Sequence, residues 1–110
     1  MEKWMMAVET NCIDPAQEKE FNEWYNNVHL KDMLSVPGVV RATRYENPGP
    51  AQGQGKFLAL YEIETDDAPQ VMADLSAGMA RWTEQGRLFP ALSIVTGCLY
   101  RQITPPVTRE

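Results

Sequence analysis

Apolar and polar positions along the chain alternate between two periods, and the switches between them mark the elements. Residues 3–10, KWMMAVET, form an apolar run that reads as a strand, and Asp14-Pro15 then opens a helix with a capping aspartate, a first-turn proline and Gln17 at the capping-box position. Phe21, Trp24, Tyr25 and Val28 recur at helical spacing, so this helix carries one apolar stripe that must pack on something flat. Val36-Pro37-Gly38 ends it. Residues 39–46, VVRATRYE, and 56–64, KFLALYEIE, have the β-branched and aromatic content of strands, while NPGPAQGQG (47–55) between them is too rich in proline and glycine for regular structure. The pair predicts a hairpin with a long polar loop. Asp66-Asp67-Ala68-Pro69 repeats the helix-start signature, and Val71, Met72, Leu75, Met79 and Trp82 then keep one face as far as Gly86. Gly78, inside this helix, weakens it by roughly 1 kcal/mol relative to alanine and points to a bend or a close contact. SIVTGCLYRQI (93–103) is the last strand, and TPPVTRE follows as an unpaired tail.

The order βαββαβ predicts an α+β, ferredoxin-like fold: a four-stranded antiparallel sheet with two helices on one face. A single domain over 1–104 and a C-terminal tail over 105–110 are expected. Phe57, Ala59, Tyr61 and Ile63 alternate with Leu58 and Leu60, so the strands are apolar on both faces and the helices cover only one. The uncovered face predicts a homodimer in which two sheets close around a shared interior, where a cavity would be a natural ligand site.

Composition narrows the function classes. With 110 residues, a net charge of −5 and scattered Lys and Arg, the chain offers no surface for a phosphate backbone, so nucleic acid is not an expected partner. No apolar run approaches the roughly 20 residues of a membrane span, and MEKWMMAV is too short for a signal peptide's apolar region, so a soluble, cytoplasmic protein with no membrane association is expected. Cys12 and Cys98 are far apart and read as free thiols. One histidine with dispersed carboxylates does not supply converging ligands for a metal, and no glycine-rich phosphate loop follows a strand. Haem has only His29 as a conceivable axial ligand. No cofactor is expected.

NEWYNNVHLKDMLSVPGVVRATRYE, followed by GKFLALYEIE and GRLFPALSIVTGCLYRQI, resembles the EthD-like branch of the dimeric α+β barrel superfamily, in which a W-Y-x-x-x-H segment precedes a PG-F/V-x-x-A-x-R-Y strand. The resemblance covers nearly the whole chain and implies the ferredoxin-like fold and the dimer. It leaves the reaction open, since the superfamily includes cofactor-free monooxygenases on polyketide quinones, lactone isomerases, polyketide cyclases and dehydratases, haem-degrading enzymes and proteins without assigned chemistry. Lys31 stands where the family motif usually has proline. Without that proline the helix can run on past position 30, which alters the pose of His29.

His29 is the first candidate for chemistry, because an imidazole can take and give a proton near neutral pH. Tyr25, four residues earlier, would stand on the same side and could donate to a developing enolate oxygen. Asp32 could orient the His29 ring, or cap the short turn that follows. The alternative for His29 is a helix-end contact that only fixes the turn into VPG. Trp24 and Trp82 are core positions large enough to wall a pocket. On the middle strands Arg41 shares a face with Tyr45 and Arg44 with Glu46; these arginines, with Tyr45 and Tyr61, are candidates to bind a carboxylate or enolate, or else to neutralise nearby glutamates. The expected function is a cofactor-independent enzyme performing cyclase, dehydratase or isomerase-type proton transfer on a hydrophobic, oxygenated polyketide-like or aromatic-catabolite substrate. The alternatives are a cofactor-free monooxygenase of the same fold, or a non-enzymatic ligand-binding or accessory protein to an oxygenase system.

Overall fold

The computed structural model describes every residue from Met1 to Glu110. Its elements are β1 (Glu2–Cys12), a 3₁₀ turn (Pro15–Gln17), α1 (Glu18–Trp24), a π-helical turn (Tyr25–His29), α2 (Leu30–Leu34), β2 (Val39–Glu46), β3 (Phe57–Thr65), α3 (Ala68–Glu84) and β4 (Leu92–Arg101). All strand pairs are antiparallel and the sheet order is β2-β3-β1-β4, so the fold is ferredoxin-like. No helix is long and apolar enough to cross a membrane.

The helices cover the face that carries Phe57, Ala59, Tyr61 and Ile63, all buried, with Met6 and Thr10 of β1 beside them. Leu58, Leu60, Met5 and Ala7 point the other way and stay half-buried, and Tyr45 and Tyr100 on that face are exposed. Between Glu9 and Thr10 the register with β4 shifts, so that Glu9 faces Thr96 while Thr10 faces Ile94. Such a bulge bends the strand and re-aims its side chains.

The stretch from Glu18 to Leu34 is helical throughout, but its buried face differs from the expected stripe. Val28 is only half-buried; the inward positions are Phe21, Tyr25, His29 and Met33, a strict four-residue period. An α-helix has 3.6 residues per turn, so each four-residue step overshoots one turn by about 40°. The π turn absorbs that drift: the Leu30 N–H donates to Tyr25 O, five residues back, and the wider turn keeps all four side chains on the sheet. The π turn places His29, and not Val28, against the core.

Helix α3 begins where the sequence indicates, with the Asp67 carboxylate accepting from the Gln70 N–H at 3.1 Å. Gly78 marks a close contact: a Cβ there would lie 2.8 Å from Cη2 of the Trp82 ring. Gly38, with φ of +97°, turns the chain from α2 into β2, and a Cβ there would meet Val71 Cγ2 at 2.9 Å.

Candidate functional site

A cavity of about 420 Å³ lies between the helix-covered face of the sheet and α3, with its floor on β1, β3 and β4. It therefore sits inside one chain, and not between two sheets as the strand pattern alone implied. Ten of its fourteen lining residues are hydrophobic, four of them methionines: Met6, Met33, Met72 and Met79. No charged side chain lines it. Its polar groups are Thr10, Tyr25, Tyr61, His29 and Ser76.

Three of these meet at one corner. The Tyr25 and Tyr61 hydroxyls are 3.3 Å apart, and the Tyr25 and His29 rings are edge to face with centroids 4.9 Å apart. Trp24 stacks on His29 at 5.0 Å and Trp82 meets it edge-on at 6.2 Å, so the imidazole is packed within an aromatic box. His29 Nδ1 is sealed from solvent and has no hydrogen-bond partner. Burial pushes the His29 pKa down to about 4; the Asp32 carboxylate pulls it up and Arg44 pushes it further down, so the ring is neutral at neutral pH. Burial also pushes the Tyr25 and Tyr61 hydroxyls up from the ordinary tyrosine range, and Arg44 opposes this at both. Thr10 acts on the Tyr25 hydroxyl in the same direction as Arg44.

Of the nine residues singled out by sequence, Tyr25, His29 and Tyr61 line the cavity. Trp24 and Trp82 stand behind His29. Asp32 makes no hydrogen bond to His29; its carboxylate takes both Nε and Nη2 of Arg87 at 2.9 Å. The Arg87 carbonyl in turn accepts from Trp24 Nε1 at 2.7 Å, so the segment after α3 is stitched to the helix that carries His29. Arg41 and Tyr45 are on the open face, and Arg41 Nε pairs with Glu62 at 3.1 Å. Arg41 lines a separate hollow of about 820 Å³ between the strand ends and the segment Thr104–Val107. Arg44 is on the helix side but behind Tyr25, outside the cavity lining. Met72 and Met79 were read only as positions on one helix face, while Thr10, Met6, Met33, Arg87 and the pair Asn22 and Asn26 escaped sequence reading. Only the i, i+4 spacing of the two asparagines on one helix offered a signal for any of them.

No protein-family model matches the chain. Core atranone cluster (CAC) protein 1 from Stachybotrys chlorohalonatus is 38% identical over 56 residues, which is 50% of this chain and 24% of that protein. The chain thus spans about a quarter of the length of the curated relative it matches. Among solved structures, HapK from Hahella chejuensis superposes with a TM-score of 0.69 at 18% identity, over 97% of this chain and 99% of that one. An ethyl tert-butyl ether D (EthD) family protein from Bacillus halodurans gives 0.55 at 17% identity, covering 94% and 100% of the two chains. A dimeric ferredoxin-like protein from an uncultured marine organism gives 0.61 at 13% identity, covering 96% and 100%. The likeness to the EthD-like branch read from NEWYNNVH and the PG strand holds at the level of fold.

Proposed function

We propose that the protein is a cofactor-independent enzyme of proton transfer, acting on a hydrophobic, oxygenated small molecule held in the cavity between the sheet and α3. The observation that carries this reading is the corner where one neutral imidazole and two phenolic hydroxyls converge in an otherwise apolar cavity. With Nδ1 sealed, Nε2 is the nitrogen left to accept a proton from a carbon next to a carbonyl. Tyr25, backed by Tyr61, donates to the enolate oxygen as charge develops there. The imidazolium so formed is disfavoured by burial and favoured by Asp32, which keeps the proton transferable to the next atom of the substrate. Cyclisation, dehydration and isomerisation all use this exchange. The methionine lining favours proton transfer over oxygenation, because four thioethers around a reactive oxygen species would be oxidised. The name of the curated relative, which places it in a core atranone cluster, agrees with a role in natural-product chemistry.

The open face, with half-buried Leu58 and Leu60 and exposed Tyr45 and Tyr100, belongs in the same proposal as the contact surface of a two-fold homodimer. The dimeric solved neighbour supports that arrangement.

The test uses 2-tetralone, an uncharged bicyclic ketone, in deuterated water, with NMR reading deuterium uptake next to the carbonyl. The protein should accelerate uptake, and His29→Ala should lower the acceleration roughly 100-fold to 10,000-fold while remaining folded. A folded His29→Ala variant with undiminished exchange would end the proton-transfer reading.

A further inference from the structure

Arg44 is held in an unusual way. Its Nη1 donates to Asn26 Oδ1 at 2.8 Å and its Nη2 to Asn22 Oδ1 at 2.9 Å, while Nε is sealed and unpartnered. Its guanidinium carbon lies 4.1 Å from the centroid of the Tyr25 ring. No carboxylate pairs with it. Four other basic side chains are neutralised: Arg41 by Glu62, Lys56 by Glu18, Arg87 by Asp32 and Arg101 by Glu2. Lys3, Lys19, Lys31, Arg81 and Arg109, which also lack a carboxylate, are all exposed, whereas Arg44 is half-buried.

A guanidinium that served only to tie β2 to α1 would be held better by aspartates at positions 22 and 26, which match its donors and cancel its charge. Amide oxygens orient it and leave the charge in place. That charge lies directly behind the face of Tyr25, whose hydroxyl touches the Tyr61 hydroxyl at the cavity wall. At such a place a fixed cation strengthens the donation of both hydroxyls to any oxygen that becomes negative in the cavity.

We propose that Asn22 and Asn26 hold Arg44 as an uncompensated cation behind Tyr25, and that this makes the Tyr25–Tyr61 hydroxyl pair an oxyanion site selective for enolate- or phenolate-type oxygens. The inference rests on the proton-transfer reading for its use, and adds the ligand charge state and three positioning residues that act through Tyr25. It accounts for Asn22 and Asn26, two of the three asparagines of FNEWYNN, which the cavity itself does not use.

The test compares two probes of similar size, 4-nitrophenol at a pH where it is ionised and nitrobenzene, by quenching of tryptophan fluorescence. The wild-type protein should bind the phenolate more tightly than nitrobenzene. Asn22→Asp should weaken phenolate binding at least tenfold, leave nitrobenzene binding unchanged and keep or raise the melting temperature, because the new carboxylate pairs with Arg44. Arg44→Met should abolish the preference in the same way. Should Arg44→Met not fold, Asn22→Asp and Asn26→Asp carry the test, since each adds a favourable ion pair. An unchanged ratio of the two affinities in folded Asn22→Asp would overturn the proposal, as would a wild-type protein that shows no preference for the phenolate. Loss of 2-tetralone exchange activity with the phenolate preference intact would overturn the enzymatic reading alone.

Discussion

The two faces of the sheet use similar amino acids for opposite ends. On the helix side, Phe57, Ala59, Tyr61 and Ile63 are sealed and local features set the polar side chains: Thr10 by a bulge, His29 by a π turn, Tyr25 against Tyr61. On the other side, one residue along, Leu58 and Leu60 remain half-buried and Arg41 pairs with Glu62 beside it. Arg41 and Arg44 lie three residues apart on one strand. One is neutralised in solvent, the other is left charged behind an aromatic ring. The two faces thus differ less in the choice of side chain than in how these two arginines are held.

The sharpest way to break the comparison is to place the same charge on each face. Ala59→Lys puts an unpaired ammonium among Phe57, Tyr61 and the helices, across the strand pair from the Arg44 guanidinium, and should cost about 4 kcal/mol or more, enough to leave little folded protein. Leu58→Lys, one residue away, should leave the fold intact and split the proposed dimer, with light scattering giving the chain mass in place of twice that mass. Equal damage from both substitutions would show that the faces are not distinct.

Acid provides the next largest effect. The folded protein holds His29 with a pKa of about 4 against an ordinary value of 6.5, so the unfolded chain takes up the proton first as pH falls. Stability contributed by the neutral ring is complete above about pH 6.5, drains as pH falls towards about 4, and amounts to about 3 kcal/mol in order of magnitude. Urea titrations across that window should show the decline in wild-type protein and lose most of it in His29→Gln. A parallel slope in the two proteins would mean that other groups cause the acid sensitivity.

Arg87→Ala sharpens the same point with a smaller effect. The Arg87–Asp32 pair is partly exposed, so its loss should lower the melting temperature only slightly. It also frees the Asp32 charge, which already favours the protonated His29 ring, so the folded-state pKa of His29 should rise and the acid window should narrow from its lower edge. An unmoved window would show that Asp32 does not act on His29.

The fold was legible from the sequence because its signals are local. Proline, glycine and capping aspartates punctuate each element, and β2 runs over the expected residues, 39–46. The candidate site was legible only at Tyr25, His29 and Tyr61. The rest depended on geometry that periodicity does not encode. A 3.6-residue template selects Val28 because it cannot foresee the π turn, and strand alternation cannot foresee the bulge that re-aims Thr10. Alternation did put Arg41 and Arg44 on opposite faces, but it could not say that Arg44 would end behind Tyr25 and outside the cavity. Asp32 was read as a partner of His29 or a cap because Arg87, 55 residues away, leaves no trace near it in the sequence.

Gly78 yields the smallest effect and joins α3 to the site. Replacing it with alanine should favour the helix by roughly 1 kcal/mol on propensity alone. The new methyl group, however, would sit 2.8 Å from Cη2 and 3.0 Å from Cζ2 of Trp82, a buried ring that meets His29 edge-on. The ring must shift by several tenths of an ångström, and His29 and the core residues around it resist. We therefore expect the propensity gain to be cancelled, with Gly78→Ala within about 1 kcal/mol of wild type on the destabilising side. Trp82→Phe removes the atoms that clash at the cost of a small cavity. In that background Gly78→Ala should become stabilising, and the double-mutant cycle isolates the contact. A glycine kept only for backbone freedom would instead give the same change with or without the indole. If the change in melting temperature on Gly78→Ala is equal in both backgrounds, the close approach of α3 to Trp82 is not what selects glycine there, and the wall behind His29 is softer than its packing indicates.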